Sequence, residues 1–322
     1  MYDFYCLIFV RYINIHTFSK NNKRKKIFIE KIVKMSVPSK LLVVTNREST
    51  NLAKALSLPG VVHLDPWKMS ILLTQNGYAI MHDKKMVPLN DIKYAYFPAI
   101  DVVPSHNLMF FLESIGITCI PNPQSFLDVA SKFKAYVILR KSGLPIIPTM
   151  YGSSININCG NVQWALNGPN IVKKPDNGSL GFEVKIVDRE KSQNLENKYI
   201  PVGNRSIFQK YVTPNTEKRY DLRLIVYDGR VLCAEKRFSG RDFRTNLSLD
   251  NRGEAYAPTK EECELAIKAV DAFEGLKVGG VDLIYDNDEL KILEINSFPG
   301  DIICGLTGVN FYEEIVKDLL SK

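Results

Sequence analysis

Residues 291–300 read KILEINSFPG, and within this otherwise apolar run Glu294 and Asn296 lie two apart. On a strand, residues two apart share one face. A carboxylate and an amide side by side on a half-buried strand are costly unless something binds them. The preceding residues, GGVDLIYDNDEL, read as the first arm of a hairpin. A turn about Asn287 pairs Asp282 with Ile292 and puts Asp282 on the face of Glu294 and Asn296. Three hard oxygen donors without histidine or sulfur suit Mg2+ or Mn2+, ions bound through few carboxylates plus substrate phosphates. The same pattern describes an exposed polar face on an edge hairpin, and spacing alone leaves both readings open.

Other stretches carry related chemistry. KKPDNGSLG (173–181) places glycines and a serine directly after a strand that carries Lys173. Backbone N–H groups of such a loop can fold over phosphate oxygens, although a plain β-turn has the same composition. Cations recur on different elements: Lys132, Lys173, Arg223, Arg237 and Arg244. RDFRTN clusters Arg241, Asp242, Arg244 and Asn246, a set suited to directional recognition of anions. IFQKYV (207–212) ends an apolar strand whose backbone groups could hold an adenine.

The elements that must position these groups can be read along the chain. Its 322 residues suffice for a large core and two or three subdomains. The net charge of +7 lies almost wholly in residues 1–34, where eight Lys/Arg face two acidic residues. The remainder is near neutral, which argues against a nucleic-acid-binding body. The leader contains KNNKRKK, but its apolar run CLIFV is too short to span a membrane and lacks the order of a secretory signal. It reads as a solvated arm or as an upstream extension before Met35. Six scattered cysteines without a C-x-x-C pair suggest neither zinc nor a disulfide framework, and fit a reducing cytoplasm. The four histidines have no metal spacing.

From Met35, strands such as LLVVT, VVHLD and YAYFPA alternate with helical stretches, and YAIMHDKKMVPL reads as a hairpin about Asp83-Lys84. This predicts a small α/β domain over 35–121. SFLDVASKFKAYVILRKSG then reads as one helix with Ala130, Phe133, Val137 and Leu139 on one side and Gly143 as its stop. Hairpins follow, with Asp228-Gly229 and Asp286-Asn287-Asp288 as turn signals. Between them EECELAIKAVDAFEGL reads as a helix with Leu265, Ala269, Phe273 and Leu276 on its packed face.

In their order, VKK…GSLG, FQKYV, DLRLIVYDGRV, KRFSGRDFRTN, GGVDLIYD and LEINSFPG…GLTGVN resemble the RimK-type ligases of the ATP-grasp fold. That family includes the ribosomal-protein α-L-glutamate ligase; the ligases of lysine biosynthesis are more distantly similar. The resemblance runs from about Leu41 to the C-terminus and implies an α/β chain with α+β subdomains. It implies a pre-ATP-grasp domain over 35–121, an ATP-grasp subdomain with a phosphate-covering loop over 122–206, and a second with the metal site over 207–322. It implies that Lys132 and Lys173 hold the ATP phosphates and that Asn177, Gly178, Ser179 and Gly181 belong to the covering loop. Gln209, Lys210, Tyr211 and Val212 would form the adenine-binding hinge. Asp282, Glu294 and Asn296 would hold two Mg2+ (or Mn2+) ions. Arg244 and Asn246 would sit at the γ-phosphate and the acyl phosphate, with Arg223 and Arg237 as substrate-side cations.

The implied reaction joins a carboxylate, on a protein C-terminus or a small coenzyme, to glutamate or another amine. Relatives of this type associate as dimers or tetramers, so a homo-oligomer is implied as well. A ligase with another amine or an amino-group carrier protein, and a non-catalytic ATP-binding protein, are the alternatives. The chain departs from the pattern at Ser131, where the family has Asp, and at DNRG (250–253), Phe97-Pro98 and FPGDIICGLTG. These departures lie where the acceptor would be chosen.

Overall fold

The computed structural model describes residues 41–99, 102–152, 166, 170–177, 183–188, 205–212, 219–240, 243–246 and 252–322. The chain divides into two compact units, one reaching Thr118 and including Val316–Lys322, the other running from Cys119 to Ile315.

In the first unit, strands β1 (Leu41–Thr45), β2 (Val61–Leu64), β6 (Tyr94–Ala99) and β7 (Thr118–Ile120) form a sheet in the order β2-β1-β6-β7. β1 runs parallel to both of its neighbours. Every residue of β1 is buried, as expected for a strand covered on both faces. Helices α1 (Thr50–Leu56) and α2 (Val102–Ser114) lie between these strands in the chain. A separate antiparallel sheet holds β3 (Met69–Thr74), β4 (Gly77–His82) and β5 (Lys85–Met86). Asp83 and Lys84 both adopt positive φ (47° and 64°) in the β4–β5 turn, the geometry of a two-residue hairpin.

The second unit holds two sheets. The smaller one has the order β10-β9-β11-β8, formed by β8 (Thr149–Gly152), β9 (Asn170–Pro175), β10 (Lys185–Asp188) and β11 (Ser206–Lys210). The expected subdomain break at 206/207 therefore falls inside β11, which pairs with β8 and β9. The larger sheet has the order β14-β13-β12-β15-β16 and comprises β12 (Tyr220–Tyr227), β13 (Arg230–Phe238), β14 (Arg252–Ala255), β15 (Val278–Asp286) and β16 (Glu289–Asn296).

Alternation gives the larger sheet two different faces. Leu222, Leu224, Val226, Ala234, Val281, Leu283, Ile292 and Ile295 form one buried cluster with Leu265, Ala266, Ala269, Val270 and Phe273. Those last residues belong to or follow α5 (Lys260–Asp271), whose start is fixed by a capping box between Thr259 and Glu262. Gly279 permits this close packing, because a Cβ there would lie 2.8 Å from Val270 Cγ2. The opposite face carries Asp221, Arg223, Glu235, Arg237, Asp282 and Glu294.

Residues 123–141 form two helices rather than one, α3 (Pro123–Ala130) and α4 (Lys132–Lys141). Ser131 is extended (φ −94°, ψ 115°), and its hydroxyl accepts from the Lys134 N–H as the cap of α4. The break rotates the second helix, so Ala135, Tyr136 and Leu139 are buried while Val137 is exposed and Phe133 stacks on Tyr151 at 4.4 Å. Gly143 does stop the helix, at φ 72°. The C-terminal helices are α6 (Ile302–Thr307) and α7 (Phe311–Ser321).

Candidate active site

The β15–β16 hairpin differs from the expected register. Its turn residues are Asn287 and Asp288, and Asp286 pairs with Glu289. A bulge then inserts Leu293, so that Leu283 pairs with Ile292 but Asp282 pairs with Glu294, and Gly280 with Asn296. Asp282 thus faces Glu294 directly, and Ile292 belongs to the core on the other face. Leu293 packs with Ile147, Val212 and Ile284.

Across the sheet the register aligns Glu235, Arg223, Asp282 and Glu294 in one row on four strands. Arg223 grips Asp282 with both fork nitrogens, at 2.7 Å and 2.8 Å. From the neighbouring row, Arg237 grips Asp221 at 2.7 Å and 2.6 Å and reaches Asp282 Oδ2 at 2.9 Å. The Thr245 hydroxyl donates to Asp221 Oδ2 at 2.6 Å and anchors the segment that carries Arg244 and Asn246. Burial alone would raise the Asp282 carboxyl, but the guanidiniums of Arg223 and Arg237 outweigh it and hold the group below its ordinary range. Arg237 is only 2% exposed, and its fork is occupied by two aspartates. Expected as a substrate-side cation, Arg237 is instead buried and bridges Asp221 to Asp282.

Helix α4 brings Lys132 to this row. Its Nζ lies 3.4 Å from Glu294 Oε1, and one turn on the Tyr136 hydroxyl donates to the Leu293 carbonyl at 2.5 Å. Asp176, at the end of β9, ties down the start of the same helix. It accepts from the Phe133 N–H at 2.8 Å and from the Ser131 hydroxyl at 2.9 Å, while its carbonyl accepts from the Lys132 N–H. The residue that departs from the family pattern thus has a local task, joining helix and strand.

The lysine doublet of β9 resolves differently from expectation. Lys173 pairs with Phe208 and lies 6.0 Å over its ring, on the face of Ile171 and its small core. Lys174 pairs with Ile207 and shares the other face with Val172 and Gln209. Lys174 lies within the field of Glu294, Lys132 and Asp282. Lys174 as a residue is part-exposed, but its ammonium is enclosed. Burial lowers its pKa to about 8, against an opposing pull from Glu294.

The expected hinge follows β11. Gln209 is buried, donates to Thr149 Oγ1 at 3.0 Å and leaves Oε1 without a partner. Lys210 is paired with Asp286 at 2.7 Å. The Val212 carbonyl accepts from Arg219, whose guanidinium lies 4.8 Å over the Tyr211 ring, and Tyr211 meets Phe243 edge-on. Arg244 and Asn246 are part-buried, on either side of the buried, anchored Thr245. Asn177 is exposed, and Gly178, Ser179 and Gly181 lie outside the described residues.

Glu294, Asn296 and Asp282 fit a hard divalent cation. Glu294 retains 26% side-chain exposure, and Asn296 has a buried amide nitrogen with no partner. Turned over, that amide would present its oxygen. Asp282 has already given three of its about four lone-pair positions to arginines, so it can add only one ligand bond. No cluster of three His, Cys, Asp or Glu able to hold a metal occurs among the described residues. No helix among them is long and apolar enough to cross a membrane.

Three kinds of likeness bear on this arrangement. The profile of the RimK-like ATP-grasp domain matches residues 130–319. The chain is 31% identical over 205 residues to the tetrahydromethanopterin:alpha-L-glutamate ligase of Methanocaldococcus jannaschii, which covers 62% of this chain and 69% of that one. It is 27% identical over 264 residues to a probable alpha-L-glutamate ligase of Haemophilus influenzae (strain PittEE), which covers 79% and 87%. Among solved structures, the ATP-grasp ligase PsnB complexed with minimal precursor, Mg and ADP superposes with a TM-score of 0.67 at 17% identity, over 89% of this chain and 97% of that one. The macrocyclase MdnC bound with precursor peptide MdnA from Microcystis aeruginosa MRC gives 0.65 at 17% identity, over 88% and 100%. At such identity these structures establish the fold. The profile covers more than half of the chain and every residue of the row on the larger sheet: the chain belongs to the RimK-like ATP-grasp family and is an ATP-dependent carboxylate–amine ligase.

Proposed function

We propose that this ligase adds glutamate, through its α-amino group, to a carboxylate on a protein or a small coenzyme. The observation that carries the reading is the convergence of Lys132 and Lys174 on Glu294, beside the Arg223–Asp282 pair. Two cations beside a carboxylate and an amide suit a nucleotide triphosphate with its counter-ion. The glutamate follows from relatives whose names specify it.

A carboxylate is a poor electrophile, so it first attacks the γ-phosphate of ATP and becomes an acyl phosphate, with release of ADP. The amine nitrogen then attacks the acyl carbon; a C–N bond forms, the C–O bond to phosphate breaks, and phosphate leaves. Phosphoryl transfer asks the protein for position and charge neutralisation more than for covalent help. Lys132 and Lys174 would hold the phosphates, Gln209–Val212 the adenine, and Arg244 and Asn246 the transferring phosphoryl group. Glu294 and Asn296, with Asp282 behind them, would hold two Mg2+ ions, which supply charge neutralisation and orient the phosphates. Arg223, between Asp282 and Glu235, would face the acyl group. The loop at 177–181 would keep water from the acyl phosphate.

The test uses purified protein with Mg-ATP, isotope-labelled glutamate and desalted extract of its own organism, read by mass spectrometry. Label in one protein's terminal peptide identifies a protein ligase, and label in a small metabolite a coenzyme ligase. ATP cleavage without label would overturn glutamate as the amine.

A further inference from the structure

The reaction also requires that the amine, an ammonium ion in water, lose a proton before it attacks. One buried group has no role in the scheme above. Glu235 of β13 is 2% exposed, and its Oε2 is buried without a hydrogen-bond partner. A carboxylate left so is among the costliest arrangements in a folded protein. Neither neighbouring arginine gives that oxygen a hydrogen bond. Arg223, opposite it on β12, directs its fork at Asp282, and Arg237, two residues along, directs its fork at Asp221 and Asp282.

On its other side α6 packs against β13, bringing Cys304 near Cys233 and Glu235. Burial raises both thiols, Cys233 to about 12 and Cys304 to about 11, so they remain neutral and offer Glu235 no charge. The charged groups that act on Glu235 are Arg237, Arg223, Asp282 and Asp221. Burial raises the Glu235 carboxyl, and the two arginines oppose that rise. A carboxyl raised in this way is a better proton acceptor.

We propose that Glu235 receives the ammonium group of the amine substrate and takes its proton as the amide forms. Glu235 is the last charged residue of the cross-strand row that starts at Glu294, with Arg223 and Asp282 between and Ala255 beyond it, so it stands on the side of the row away from the phosphate-binding lysines. The ammonium N–H donates to the unpartnered oxygen. One proton passes to Glu235, the freed lone pair attacks the acyl carbon to form the C–N bond, the C–O bond to phosphate breaks, and the departing phosphate carries off the second N–H proton. The inference rests on the ligase reading above.

The test compares the full chain with Glu235→Gln, using Mg-ATP and desalted extract as the carboxylate source. Two amines are supplied in turn: labelled glutamate, and hydroxylamine, which is already neutral near pH 7 and needs no base. In the variant, glutamate incorporation falls about 100-fold or more, while hydroxamate formation stays within about threefold. The residual incorporation climbs about tenfold per pH unit from about pH 7 to 9, because the amine must then arrive deprotonated. The melting temperature holds or rises, since a neutral amide replaces an unpaired charge.

Loss of hydroxamate along with glutamate incorporation, a drop in melting temperature, or no effect on either amine would each overturn the assignment. If the wild type forms hydroxamate but rejects glutamate, the amine of the ligase reading is wrong, and the same comparison runs with whichever amino acid the wild type incorporates. If the wild type forms neither product, the ligase reading falls and this inference with it.

Discussion

Lys174→Met separates binding from stability. The enclosed ammonium has its pKa lowered from 10.5 to about 8. At about 1.36 kcal/mol per unit this shift corresponds to roughly 3 kcal/mol. Because the residue is part-exposed, about 1–2 kcal/mol is the amount to expect after solvent screening. The sign is that of a lysine lowered in the folded state: between about pH 8 and 10.5 the unfolded chain binds the extra proton, so stability rises with pH there. Methionine keeps the unbranched apolar stem and removes the charge. The variant should therefore melt about 2–8 °C above the wild type near pH 7. The gain should shrink through pH 8 to 10.5 as the wild-type lysine loses its proton. In the same variant the affinity for Mg-ATP should fall about tenfold or more, because a phosphate-facing cation is lost. Calorimetry across pH and nucleotide titration read the two effects. A variant that melts below the wild type near pH 7, or a difference independent of pH, would refute the placement of Lys174.

The other expectations are more direct. Glu294→Ala should abolish Mg-ATP turnover, by a factor on the order of 10³, with unchanged circular dichroism; full activity would remove Glu294 from the ion site. Arg237→Ala leaves Asp221 and Asp282 buried without their shared cation and should cost about 3–5 kcal/mol by denaturant titration. A loss below about 1 kcal/mol would mean that the buried network is not structural. Asp176→Ala should cost about 1–2 kcal/mol and raise the KM for ATP, since it frees the start of α4 and with it Lys132. An unchanged KM would separate that clamp from nucleotide binding.

The hairpin with Asp282, Glu294 and Asn296 was legible because a polar pair in an apolar strand is a local signal. The choice between Lys173 and Lys174 was not. Alternation says that they face opposite sides, but the inward side is fixed by Gln209 and Val172, which meet only once β9 and β11 pair. The sequence also hid the role of Arg237, because its partners Asp221 and Asp282 lie on other strands. Asp221 precedes Arg223 by two residues and Thr245 lies between Arg244 and Asn246, yet only the cross-strand register makes either meaningful. The single helix expected from Ser125 to its stop at Gly143 failed at Ser131, whose capping preference was visible but whose partner Asp176 is distant in the chain.

The bulge at Leu293 acts as a phase shift within one strand. Before it the inward residue is Ile292, and after it Ile295; in between, Leu293 and Glu294 both turn away from the core. A strand of strict alternation would place Ile292, Glu294 and Asn296 on a single side and force oil and ligand to share it. With the shift, the hairpin tip at Asp286–Glu289 is insulated from the chemistry: changes of length there alter only the turn. Loss of Leu293 would remove the bulge and leave Ile292 and Ile295 inward and Glu294 outward, forfeiting the packing of Leu293 on Ile147, Val212 and Ile284. Deletions at the tip should therefore be tolerated, and loss of Leu293 should lower stability while Glu294 stays beside Asp282; a deletion scan read by melting temperature and by an activity selection would check both.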